Sequence, residues 1–230
     1  MSSDALQELA TEIHACRHCP RLVEWREACA ADPPRRYRGE KYWARPVAGF
    51  GDPAARLAVV GLAPAAHGAN RTGRMFTGDR SGEWLYAALH RSGFANAPLS
   101  VDRGDGLRLR DAWVTAVVRC APPANKPATA ERDNCLPYLA RELELLDRCR
   151  TIVALGAFAW DGALRALRAL GHGTPRPRPR FAHGGEALVG EWTLLGCYHP
   201  SQQNTFTGRL TEPMLDRVFG RGRELLEGRR

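Results

Sequence analysis

The chain has 230 residues, 44% of them hydrophobic, and a formal net charge of +8 at neutral pH. That length fits one large domain or two small ones, and the apolar content is enough for a substantial core. No apolar run approaches the ~20 residues of a membrane span, and the start "MSSDALQELATEIHAC" has neither the basic nor the apolar region of a signal peptide, so a cytoplasmic protein with reduced cysteines is expected.

In chain order, Leu6, Leu9, Ala10 and Ile13 fall at helical spacing, with Ser3 or Asp4 as the cap. "ADPPRRYRGEKYWARP" reads as an irregular basic loop. "RLAVV" is a short buried strand that runs into the glycine-bearing turn "GLAPAAHGANRTGRMFTGD", residues 61–79. Residues 82–92 read as a helix capped by Asp79 or Ser81, and 112–118 as a second strand. After the loop "RCAPPANKP", Thr129 opens a helix to about Leu146. Residues 151–156 form a third strand, followed by a helix over "AFAWDGALRALRAL". "GHGTPRPRPR" is a linker that proline keeps out of helix. "EALVG" and "TLLGCYHP" are further strands, the second closing at Cys197. The terminal stretch "LTEPMLDRVFGRGRELLEG" is helical, with Pro213 or Gly220 as a candidate break. There is no internal repeat.

Apolar strands alternating with helices predict a parallel sheet covered on both faces. In such sheets ligands sit beyond the carboxyl ends of the strands. Three segments lie there: the turn after Val60, the loop after Val118 and "YHPSQQNTFTGR" after Cys197.

Lys41 and Lys126 are the two lysines, so arginine carries nearly all the positive charge. A coding bias explains arginine over lysine but not the net charge. A basic balance favours a nucleic-acid partner, and the arginine fork suits phosphate. Cys16 and Cys19 form a C-x2-C pair, with Cys120 and Cys135 far downstream. Such a set can clamp zinc or an iron–sulfur cluster, or be unrelated. Cys29, Cys149 and Cys197 have the surroundings of small buried cysteines.

With these loops in place, the chain resembles a family 5, B-type, uracil-DNA glycosylase. The likeness rests on residues 61–79, 119–127 ("RCAPPANKP") and 199–211 ("HPSQQNTFTGRLT"), with cysteines 16, 19, 120 and 135, in the family's order. It implies a single three-layer α/β/α domain over 1–230, with a central, mostly parallel four-stranded sheet. It implies a 4Fe–4S cluster on Cys16, Cys19, Cys120 and Cys135. It also implies removal of uracil, and of other deaminated bases such as hypoxanthine and xanthine, from double-stranded DNA without cutting the strand; a monomer is the default expectation for an enzyme that wraps a duplex.

In that superfamily the first motif usually places a water-activating Asp, Asn or Glu just after its glycine. Here Leu62 and Ala63 follow Gly61, as is typical of family 5. The turn must then act through its backbone, or another residue must supply the carboxylate. Asp79 is the nearest, and a helix cap is its ordinary alternative. His199 is placed to donate to the departing base, since a preorganised donor is worth ~2.7–4 kcal/mol. Asn125 suits a base edge or the water. Gly61, Ala63, His67, Phe76 and Asn204 are assigned to the base pocket, with Phe76 stacking on the flipped base. Arg71, Arg74, Ser201, Gln202 and Arg209 are assigned to DNA, with Asn70, Arg45, Arg119 and the "PRPRPR" segment as further contacts. Two other classes compete: a cluster-bearing uracil-DNA sensor without turnover, and a redox iron–sulfur protein, which leaves the arginine loops unexplained.

Overall fold

The computed structural model describes residues 2–228. Its elements are α1 Ser2–Ala15, α2 Pro20–Ala31, β1 Phe50–Gly51, β2 Leu57–Gly61, α3 Ala69–Thr72, α4 Arg80–Arg91 and β3 Ala112–Ala116. They continue with α5 Thr129–Leu145, β4 Thr151–Leu155, α6 Ala157–Ala169, β5 Glu186–Val189, β6 Trp192–Cys197, α7 Gln202–Phe206 and α8 Glu212–Glu227.

The sheet has six strands in the order β1-β3-β2-β4-β6-β5, where the sequence implied four. The four inner strands are parallel, with Val59 beside both Val114 and Val153. The two extra strands are antiparallel edges: β1 on β3, and β5 on β6. β1 is two residues long, too short to carry an alternation signal. "EALVG" is a strand as expected, but it turns back on β6 as a hairpin rather than joining the parallel set.

The inner strands are buried on both faces, so alternate residues feed two cores. Ala58 and Val60 pack with Trp113, Leu139, Ile152, Trp160 and Leu164 beneath α5 and α6. Leu57 and Val59 pack with Tyr86, Leu89, Val153 and Phe219 beneath α4 and α8. β2 connects onward to β3 on one side, while β4 lies on the other. That reversal of strand order opens a crevice at the carboxyl ends, where α/β sheets bind ligands.

Three helical details depart from the sequence reading. Helix α1 begins at Ser2, so Ser3 and Asp4 lie inside its first turn rather than capping it. Helix α8 runs unbroken through Gly220, because Pro213 sits in its first turn, where proline's missing N–H costs nothing. Helix α2 has no counterpart in that reading: its buried face is Leu22, Val23, Arg26 and Cys29, and a guanidinium in the apolar stripe masks the periodicity.

Candidate active site

The glycine turn after β2 is wrapped tightly on itself. Gly68 N and Asn70 N both donate to Ala65 O, at 3.2 and 3.1 Å. The loop after β3 is stitched to it, with Val117 N donating to Gly61 O and Val118 N to Leu62 O, each at 3.0 Å. Phe76 is held with φ at 52°, a left-handed backbone that a bulky residue adopts only under constraint. Its ring lies over Gly61, where an added Cβ would stand 2.6 Å from Phe76 Cζ. Only glycine permits that approach.

Asp79 is half-buried at the head of α4. Its Oδ1 accepts from Gly82 N at 2.9 Å, so it is the helix cap the sequence allowed for. Its Oδ2 lies directly on the backbone of Gly68, where any side chain would overlap it. Burial pushes its carboxyl above the ordinary range, against the amides of Gly82 and Ser81. Cap and pocket carboxylate are therefore one group, in contact with the opening turn.

His199 follows the end of β6 and meets this turn from the other side. Its ring centroid is 5.8 Å from that of Phe76. Gly156, just past the end of β4, faces it: a Cβ there would lie 3.7 Å from His199 Cβ, in ordinary contact. Burial pushes the imidazole down to about 4, so it is neutral at physiological pH. Asn204 Nδ2 donates to His199 O at 2.9 Å, and Ser201 Oγ caps α7 by accepting from Asn204 N at 3.4 Å. Gly61, Phe76, Asp79, His199 and Asn204 are thus gathered at one crevice.

Other assigned residues sit differently. Ala63 is half-buried against the α5–α6 core. His67 Nδ1 is bonded to Tyr42 Oη at 3.0 Å, so it braces the turn. Tyr42 lies outside the motif, and only its position in the basic loop hinted at it. Asn125 is exposed at the tip of the loop after β3, in a left-handed conformation behind a left-handed Ala124. No hydrogen bond or ring contact among the described residues ties it to Asp79 or His199.

Several arginines assigned to phosphate are committed internally. Arg74 is 5% exposed and donates to Thr77 Oγ1, Ser100 Oγ and Asp105 Oδ2 at 3.0, 2.7 and 2.5 Å. Burial acts to raise Asp105, but the bond from Arg74 and the amides of Leu107 and Val101 outweigh it, leaving about 2. Arg71 bridges the turn, donating to His67 O, Gly78 O and Glu40. Arg119 is buried in a pair with Glu142 at 2.7 Å. Asn70 is buried too, its Nδ2 donating to Arg26 O and Ala66 O. These corrections share one cause: a guanidinium or amide placed below the surface must find partners in the protein. Gln202 and Arg209 are exposed, the latter over the Tyr198 ring at 4.7 Å. Beside them Phe206 is 66% exposed, with Arg80 over its ring at 4.5 Å.

The four spaced cysteines line one pocket, between the α1–α2 junction, the loop after β3 and α5, together with Leu22, Val23 and Tyr138. All are free thiols. Burial pushes Cys120 up to about 12 and Cys135 to about 11. Buried Arg26 donates to Cys120 Sγ at 3.0 Å, and Asn134 Nδ2 to Cys19 Sγ at 3.5 Å. Among the described residues, no three His, Cys, Asp or Glu side chains converge on a single-ion site.

A family model described as the uracil DNA glycosylase superfamily matches residues 48–220. A type-5 uracil-DNA glycosylase of Mycobacterium tuberculosis is 57% identical over 220 residues, covering 95% of this chain and 81% of that one. The type-5 enzyme of Thermus thermophilus is 50% identical over 216 residues, covering 93% and 94%. A type-4 enzyme of Pyrobaculum aerophilum is 38% identical over 117 residues, about half of each chain.

Proposed function

The chain belongs to the uracil-DNA glycosylase superfamily, and on that premise we propose that it hydrolyses the N-glycosidic bond between uracil and deoxyribose in double-stranded DNA. The products are free uracil and an abasic site, which opens base excision repair. The observation that carries this reading is the neutral His199 imidazole beside Phe76, at the mouth where β2 and β6 end.

A base inside a duplex is out of reach, so the nucleotide is rotated out at a cost of a few kcal/mol. The flipped ring stacks on Phe76. As the bond from C1′ to the base nitrogen breaks, the electron pair leaves with the base. His199 donates a hydrogen bond to the oxygen where that charge collects, which needs no full proton transfer. Water then adds to C1′ and gives its proton to the Asp79 carboxylate. Neither Leu62 nor Ala63 offers a polar atom to the base, which supports acceptance of hypoxanthine and xanthine as well. Lys126 is the one lysine in the three loops and lies exposed beside Asn125, which leaves little basis for a Schiff-base strand cut.

Cys16, Cys19, Cys120 and Cys135 suit a 4Fe–4S cluster. The four thiols line one pocket, and Arg26 supplies a buried counter-charge. Such a cluster would tie the α1–α2 junction to the loop after β3 and to α5, a structural role. The working form is taken to be a cytoplasmic monomer. Incubation with a uracil-containing duplex tests the reading: free uracil should appear, with strand breaks only after alkali. Binding without release of uracil would reject it.

A further inference from the structure

With Arg71, Arg74 and Arg119 held by internal partners, the cations open to a partner lie elsewhere. The segment between α2 and β1 carries Arg35, Arg36, Arg38, Lys41 and Arg45, and the loop before β3 carries Arg103; all six are exposed. Among the described residues none of the six forms an ion pair. Glu40, the acidic residue within the run, is taken by Arg71 at 2.6 Å.

The segment is fixed to the active-site turn. Tyr42 Oη bonds His67, Trp43 N donates to Arg71 O at 2.9 Å and Ala44 N to Asn70 O at 3.0 Å. Aromatic rings order the cations. Arg36 lies 4.6 Å over Tyr37, which shares its ring with Arg71 at 4.3 Å. Arg103 and Arg45 lie 4.5 and 5.8 Å over Trp43. Stacking occupies the flat face of a guanidinium and leaves its N–H edge free for phosphate. The uncompensated field reaches a neighbouring group. Burial, then Arg36 and Arg71, hold His67 below its ordinary range.

We propose that residues 35–45, with Arg103, form a second grip on DNA, which clasps backbone phosphates on one flank of the flipped nucleotide while the 201–209 loop serves the site itself. This rests on the glycosylase reading for its substrate. Flipping costs a few kcal/mol, and phosphate contacts made by a rigid, prearranged segment offset it.

The test is the salt dependence of binding to undamaged duplex DNA, followed by fluorescence anisotropy on the full chain. For every phosphate that the protein no longer neutralises, the slope of log affinity against log salt becomes shallower by about 0.9. Arg36→Gln with Arg38→Gln should therefore flatten it by between ~0.9 and ~1.8, and Arg45→Gln with Arg103→Gln should act likewise. The control removes the same charge at the opposite end of the sheet, by the amino ends of the strands. Arg110→Gln with Arg148→Gln changes exposed residues ahead of β3 and β4 and should leave the slope unchanged. The proposal fails if both loop pairs keep the wild-type slope, or if the control flattens it as much. Failure of the wild-type protein to release uracil would instead overturn the catalytic reading, and the slopes would still report on the grip.

Discussion

Asp79 caps α4, and one substitution can separate that cap from the catalytic role proposed for it. Asp79→Asn keeps an oxygen to accept from Gly82 N, now bonded at 2.9 Å, and Asn caps a helix about as well as Asp. It removes only the charge. Burial raises the Asp79 carboxyl, so the sign of the stability effect follows. A folded-state value above the unfolded one means that stability is fullest at low pH and falls as pH rises past the unfolded value. At pH 7, where the unfolded chain holds this carboxyl ionised, burying it is thus a cost to the fold, and Asp79→Asn should melt at the same temperature as wild type or higher. Asp79→Ala should lose ~1 kcal/mol with the cap. Both should lose ~10²–10⁴ in single-turnover excision of uracil, the range for a positioned acid–base group. If Asp79→Asn keeps its rate within a few-fold, Asp79 is a cap alone and the water is held by backbone. If it melts well below wild type, the carboxylate charge supports the fold and the reasoning from burial is wrong.

His199→Gln should lose ~10²–10³ in turnover, as for one deleted donor. Because His199 sits near 4 when folded against ~6.5 when free, the unfolded chain takes up a proton first on acidification; wild-type stability should decline from about pH 6.5 to 4, thermal melts of His199→Gln should show less of that decline, and an acid limb of excision near pH 6.5 instead of 4 would refute the buried neutral imidazole. Arg74→Met removes the ion pair and leaves the Asp105 carboxylate to the backbone amides of Val101, Asp102 and Leu107 alone; it should cost ~1–3 kcal/mol in chemical denaturation, with Asp105→Asn added in the same chain recovering part of it. Anaerobically purified protein should be brown with about four irons per chain, and one zinc in a colourless protein would reject the cluster.

The strands and the three loops were legible because β2, β3, β4 and β6 are continuous apolar runs, the mark of a sheet buried on both faces. The convergence of Phe76 and His199 was legible for the same reason, since both lie just past carboxyl ends of strands. The edges were not: β1 has two residues, and β5 is a short, mostly exposed strand whose antiparallel direction composition does not encode. The fate of the arginines was also hidden. Arg74 and Arg36 look alike in sequence, yet one is sealed against Ser100 and Asp105 and the other is exposed on Tyr37. Burial decides which guanidinium can reach phosphate, and burial of a turn residue depends on partners remote in the chain that no local pattern records.

The buried Arg74 also explains how the pocket tolerates its own strain. A left-handed Phe76 costs of order 1–3 kcal/mol and persists only where its surroundings over-determine it. Those surroundings are visible on both sides of the residue. Arg74 is anchored to Asp105 and Ser100, Thr77 Oγ1 is bonded to Ser100 Oγ at 2.6 Å, and Met75 O accepts from buried Tyr86 at 2.7 Å. Residues 74, 75 and 77 are thus pinned, and 76 has no room to relax. Its ring is then fixed against Gly61 before any base arrives. With no polar side chain at Leu62 or Ala63, the proposed mechanism leans on stabilising the departing base more than on driving water onto an intact bond. That stabilisation requires the stacking ring and the His199 donor to be in place beforehand, since a donor that must reorganise in the transition state loses much of its value. Arg74, read from sequence as a phosphate ligand, acts one layer deeper, in holding the turn that carries Phe76.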